Sequence, residues 1–202
     1  MRTLLLLLAA VSLPAETAAD HVRRGMTLFS GGKIEESILE FDQAAKLEPR
    51  EAPELWQRGI AYYYVGQFED GRKQFESHRL VNPNDVENAA WWYLCMARLG
   101  RRDEARAKLL PVGPDERVPM AEVYSLYAGK GNQKEVLAAI ERGNPPGAEH
   151  RMRLFYGHLY LGLFAETAGD AKAARAHLEE ALRQKTGGYM ADVARIHLER
   201  MK

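Results

Sequence analysis

An all-α solenoid of about five helical hairpins closed by a C-terminal capping helix is the fold this sequence predicts, and three observations predict it. Gly32, Gly66 and Gly100 stand 34 residues apart, as do Gly25 and Gly59, Phe41 and Phe75, and Pro49 and Pro83. Between these landmarks apolar or small residues such as Leu55, Gly59 and Tyr62 recur at the spacing that lines one face of a helix. Each unit carries a glycine near its middle and a proline at its end, the punctuation of helix, turn, helix and stop.

Taken in order, residues 1–19 read as an export signal: Arg2 supplies a positive start, Leu4 to Leu13 an apolar run broken by Ser12, and Thr17-Ala18-Ala19 small residues for cleavage. That run falls short of the roughly 20 residues that cross a bilayer. The expected product begins at Asp20 and is periplasmic or secreted. The only cysteine, Cys95, is far from the signal, so no lipid anchor of the bacterial lipoprotein kind is expected. Three repeats follow over residues 20–112. Gly66 lets the chain leave one helix in a left-handed conformation. Glu69 and Asp70 then place negative charge at the positive end of the next helix dipole, and Pro83 stops that helix.

Over residues 113–147 the period slips into a degenerate helical pair, with Pro119 in the first turn of one helix and Asn132 as N-cap of the other. Residues 148–202 carry a returning repeat, a long helix from Ala148 to Ala168 and a second from Ala171 to Gln184 capped by Asp170. A closing helix from Tyr189 to Met201 covers the apolar face that a last repeat leaves in water.

The 34-residue pattern resembles the tetratricopeptide repeat (TPR). The first unit supplies Gly25, Leu28, Phe41, Ala44 and Pro49, and the second Leu55, Gly59, Tyr62, Phe75 and Pro83. In the third, Tyr93 stands where the small residue belongs; Ser37, Gly71 and His78 are further departures. A late unit returns through Leu161-Gly162, Ala174, Leu178 and Ala181. The resemblance implies a right-handed superhelix whose first helices line a concave groove. The order of clean, irregular and returning repeats is similar to that of NlpI-type bacterial TPR lipoproteins, which act as envelope adaptors; the lipid-bearing cysteine of that group is missing here. On the TPR pattern the groove positions fall on Trp56, Gln57, Tyr63, Tyr64, Trp91 and Arg98, while Tyr62 and Tyr93 pack between helices. Tyr62, Tyr63 and Tyr64 point about 100° apart on one helix, so the same neighbours cannot bury all three. Trp56 and Tyr64 are expected to be exposed in the groove.

With 28 basic and 28 acidic residues among 202, the chain has no net charge to draw it to nucleic acid. One cysteine excludes an intrachain disulfide and a cysteine-rich zinc site. His21, His78, His150, His158, His177 and His197 form no pair at metal-binding helical spacing. Gly31-Gly32 and Gly129-Lys130-Gly131 follow no strand and make no phosphate loop. No catalytic residue, metal or cofactor is therefore expected. The expected function is a non-catalytic interaction scaffold of the bacterial envelope that binds a peptide or protein in its groove. Self-association through the groove, and a small-ligand or cryptic enzymatic role in the 113–147 segment, are the alternatives.

Overall fold

A computed structural model describes residues 16–201, which form eleven α-helices, a 3-10 turn and no strand. Most of the signal-like segment lies outside the described residues; Thr17, Ala18 and Ala19 lie within them. The helices are α1 (Ala18–Ser30), α2 (Ile34–Leu47), α3 (Trp56–Tyr64), α4 (Phe68–Val81), α5 (Val86–Arg98) and α6 (Arg102–Ala107). There follow α7 (Met120–Tyr127), α8 (Gln133–Glu141), α9 (Gly147–Thr167), α10 (Ala171–Arg183) and α11 (Tyr189–Arg200). They pack as five consecutive pairs, α1 with α2 through α9 with α10, and α11 rests on α10 and α1.

The 34-residue landmarks have direct physical causes. A β-carbon at Gly25 would lie 2.7 Å from the Phe41 ring, and one at Gly59 2.7 Å from the Phe75 ring. Each glycine is thus the gap into which the phenylalanine 16 residues later fits, and Gly162 with Leu178 repeats the contact at 2.9 Å. Gly32, Gly66 and Gly100 turn the chain between paired helices at φ +77°, +81° and +77°, where a side chain would be strained.

The third unit breaks this rule at the residue where its sequence departs. Tyr93 is fully buried, its ring edge-on to Tyr127 at 5.0 Å and stacked on Phe164 at 6.0 Å. A ring in place of a gap engages α7 and α9 instead of receiving a side chain from α6. α6 is correspondingly cut to six residues, and an irregular stretch runs to Pro119. The other departures are accommodated locally. Gly71 makes room for the Cys95 sulfur, and buried His78 bonds the Pro53 carbonyl through Nδ1 at 2.8 Å.

Caps set the helix ends as their residues suggest. Asn132 and Glu135 form a reciprocal capping box on α8, and the Asp170 side chain accepts from the Ala173 amide. Pro119 precedes α7 as its N-cap and is not within its first turn. Ahead of α3 the chain makes a 3-10 turn over Ala52–Glu54. At the other end Thr17 caps α1 and exchanges hydrogen bonds with Asp20. No described helix is long and apolar enough to cross a membrane.

Candidate functional site

The expected groove residues lie together, but the face they form is covered. α11 runs along α3 in the same direction, because Tyr189 meets Trp56 and, eight residues on, His197 meets Tyr64. Three sets of contacts hold it. The Tyr189 ring stacks on Phe29 at 4.8 Å and stands edge-on to Trp56 at 5.3 Å. The Ser30 hydroxyl donates to Asp192 at 2.7 Å, and Arg195 donates to the Ser30 carbonyl at 2.6 Å. The Tyr64 hydroxyl lies 3.0 Å from His197 Nδ1 and 3.3 Å from the Val193 carbonyl, and His197 Nε2 lies 3.1 Å from Glu166. Val193, Ile196 and His197 are buried in this seat.

This corrects the expectation of an open groove. Trp91 is 1% exposed and Tyr63 3% exposed, so neither offers a surface; Trp56 and Tyr64 are half-buried beneath α11. Gln57 makes only a 3.9 Å contact from Nε2 to the Met26 sulfur, and its side-chain oxygen is buried without a partner. Of the six, Arg98 alone is exposed. The three successive tyrosines are buried by different neighbours. Tyr62 donates to Asp42 at 2.5 Å, Tyr63 packs on Trp91 and Phe68, and Tyr64 packs on Phe29 and His197. A helical wheel cannot tell a groove from a core when a later helix fills the groove.

Among the described residues a cavity lies at each end of α11. Near its last turn a space of about 400 Å³ is bordered by Tyr63, Tyr64, Phe68, Arg98, Glu166 and Arg200, among others. The Arg98 guanidinium lies 5.0 Å from the centre of the Phe68 ring and 5.7 Å from that of Tyr63, and Arg200 lies 5.9 Å from that of Tyr64. Neither arginine makes an ion pair among the described residues. The Tyr63 hydroxyl is buried without a hydrogen-bond partner, an arrangement that costs about 1–3 kcal/mol when nothing fills it. Burial raises its pKa and the nearby Arg98 charge opposes the rise. Glu166, the one carboxylate here, is held below its usual range by the His197 hydrogen bond against the effect of its own burial. A guanidinium lying over a ring keeps its in-plane donors free for hydrogen bonds to a carboxylate or another planar anion.

Glu166, His197 and Tyr64 form a carboxylate–imidazole–hydroxyl chain that invites a catalytic reading. Burial pushes the Tyr64 hydroxyl well above its ordinary pKa, the reverse of nucleophile activation. The chain serves instead to fasten α11. Burial likewise raises the Cys95 thiol, as befits a small apolar residue. In the 113–147 segment Tyr124 donates to the Leu110 carbonyl at 3.3 Å and Tyr127 to that of Tyr160 at 2.9 Å, so both hydroxyls are engaged by backbone. Among the described residues no cluster of three or more histidine, cysteine, aspartate or glutamate side chains is placed to hold a metal.

Sequence reasoning missed the partners that come from far along the chain. His158 and His177 sit 2.9 Å apart across α9 and α10, a separation of 19 residues that no single-helix spacing reveals. Glu166 reaches the site from the end of α9, and His197 and Arg200 through the position of α11. The Gly187-Gly188 pair ahead of α11 was the available signal, since both glycines take positive φ to turn that helix inward. No family model matches the chain.

Proposed function

We propose that this chain is a TPR-type right-handed α-solenoid serving as a non-catalytic interaction scaffold of the bacterial cell envelope, with an acidic peptide or protein segment bound at Arg98 and Arg200. The observation that carries the reading is the pair of arginines, both free of ion pairs among the described residues and stacked on aromatic rings beside an unpartnered hydroxyl. Five consecutive helix pairs with a 16-residue glycine-to-side-chain contact in three of them support the repeat assignment. The seating of α11 supports recognition of a helix, for the same face already accepts one in cis. The envelope assignment rests on the 1–19 segment and on the similarity to NlpI-type proteins. On that reading cleavage after Ala19 removes the Thr17 cap of α1 and the Glu16–Arg24 ion pair, and N-terminal sequencing of exported protein starts at Asp20.

The test is capture from a bacterial envelope extract by the wild-type protein and by an Arg98→Ala/Arg200→Ala variant. Loss of a true anchor costs about 2 kcal/mol or more, roughly thirtyfold in affinity. The variant is expected to lose its partners while its stability changes by less than about 0.5 kcal/mol. Unchanged capture would remove the arginine pocket from the binding surface.

A further inference from the structure

The cavity at the other end of α11 has the opposite chemistry. It encloses about 290 Å³ where α3, α5 and α9 meet the Thr186–Met190 turn, at the lower limit of the roughly 300–1,000 Å³ typical of small-molecule sites. Four residues that border it each carry a buried polar atom without a hydrogen-bond partner: Asn88 Oδ1, Trp91 Nε1, Thr186 Oγ1 and the Tyr189 hydroxyl. Nine such atoms occur among the described residues, and four of them belong to residues that border this one space. Asn88 is 3% exposed and Trp91 1% exposed, so neither reaches solvent by another route. The Asn88 amide is oriented by its bond to the Phe75 carbonyl at 2.9 Å.

The charge of the wall says what kind of partner. Asp85 and Glu87 are the only charged residues bordering the cavity. Together with Asp115 they share a single cation, Arg117, which lies 2.8 Å from Asp85, 2.6 Å from Asp115 and in contact with Glu87. Three carboxylates against one guanidinium leave two negative charges in excess. Burial, with the neighbouring Asp85, raises the Glu87 carboxyl above its usual pKa against the opposing effect of Arg117 and the Tyr160 hydroxyl. Apart from Asn88, Thr186 and two glycines, the rest of the lining is apolar or aromatic; it includes the rings of Trp56, Trp91 and Tyr189, and that of Tyr156, whose centre lies 6.0 Å from the Arg117 guanidinium. Met152, 43% exposed, stands at the rim and leaves a way in.

We propose that this cavity binds a small organic cation, an ammonium group on a compact apolar or aromatic body. The ammonium lies against the aromatic rings on the Asp85–Glu87 side, as ring faces and carboxylates together favour. Its N–H groups face the Asp85 and Glu87 carboxylates, and its body fills the remaining apolar volume. The site depends on α11 but not on any macromolecular partner, and it is separate from the arginine pocket.

Isothermal titration calorimetry with phenethylammonium, and with the neutral 2-phenylethanol and the anionic phenylacetate as isosteres, tests the charge class directly on the wild-type protein. Phenethylammonium is expected to bind at least about tenfold more tightly than 2-phenylethanol. The Asp85→Asn/Glu87→Gln variant retains a capping side chain at the start of α5 and is expected to lose that preference while still binding the alcohol. Met152→Trp, at the rim, is expected to weaken all three probes. Equal affinity for cation and alcohol, preference for phenylacetate, or no saturable binding by any probe at millimolar concentration would overturn the proposal. The comparison among probes needs no variant to fold.

Discussion

At its first turn α11 closes a cavity bordered by Asp85 and Glu87; at its last turn it closes one bordered by Arg98 and Arg200. Both lie along the rings of α3 and α5, and the charges differ because of helix direction. Asp85 is the N-cap of α5 and Glu87 lies in its first turn, whereas Arg98 ends α5 and Arg200 ends α11. Carboxylates suit the positive end of a helix dipole and guanidiniums the negative end, each by about 0.3–1 kcal/mol. Since α11 runs the same way as α3, local preferences that are individually small are collected into two pockets of opposite sign. Helix-end chemistry, repeated in register, has become a property of the whole inner face.

The comparison can be broken most completely by removing the helix that creates both pockets. A chain ending at Lys185 lacks α11 and uncovers Phe29, Trp56 and Tyr64. Met190, Val193 and Ile196 are buried, and each contributes about 1.5–3 kcal/mol by burial, so a loss exceeding about 5 kcal/mol is expected. Thermal unfolding and size-exclusion chromatography should show a much lower melting temperature and association. A truncated chain as stable and monomeric as the full one would contradict the seating of α11.

A smaller effect comes from the shared floor. Gly59→Ala places a methyl group 2.7 Å from the buried Phe75 ring, whose other neighbours include Trp91. Overpacking of about 1–3 kcal/mol is expected to outweigh the roughly 1 kcal/mol of helix propensity gained from alanine. Denaturant unfolding reads the sign. Stabilisation would mean that the glycine-to-phenylalanine contact is not what sets the 34-residue period.

How much of this was legible in the sequence varies with range. Glycine turns, the Asn132 and Asp170 caps and the 16-residue contacts depend on neighbours within one hairpin, and the helix ends follow them closely. Tyr93 was visible as the residue out of pattern, and its engagement with Tyr127 and Phe164 supplies the physical reason for the slip. The candidate groove fared differently. Trp56, Tyr63, Tyr64, Trp91 and Arg98 were assigned to one side of the repeats, but the helix that covers them begins more than 80 residues after Arg98. Periodicity reports which face of a helix is apolar and is silent on what lies against it. Glu87 shows the same limit, being an ordinary first-turn acid in sequence and a buried carboxylate bonded to Tyr160 in the fold.

His158 and His177 border neither cavity and provide a control on stability. Burial and the neighbouring His177 lower His158 to about 4, and burial also lowers His177. A depressed histidine stays neutral in the folded chain while the unfolded chain takes up its proton. Stability is therefore expected to fall as pH drops from about 6.5 towards 4, by about 1 kcal/mol after allowance for solvent screening. Urea unfolding at pH 7 and pH 4.5 should show this drop reduced in His158→Gln, with neither pocket's ligand affinity changed at pH 7. An identical acid response in the variant would assign the drop to other groups.

The most direct test of the central claim, two independent sites of opposite preference on one inner face, is a double titration. Wild-type protein, Asp85→Asn/Glu87→Gln and Arg98→Ala/Arg200→Ala are each titrated with phenethylammonium and with an acidic peptide. The account predicts saturable binding of both by the wild type, with the cation's advantage lost only in the first variant and the peptide lost only in the second. Loss of both ligands in either folded variant, or loss of neither in both, would contradict it.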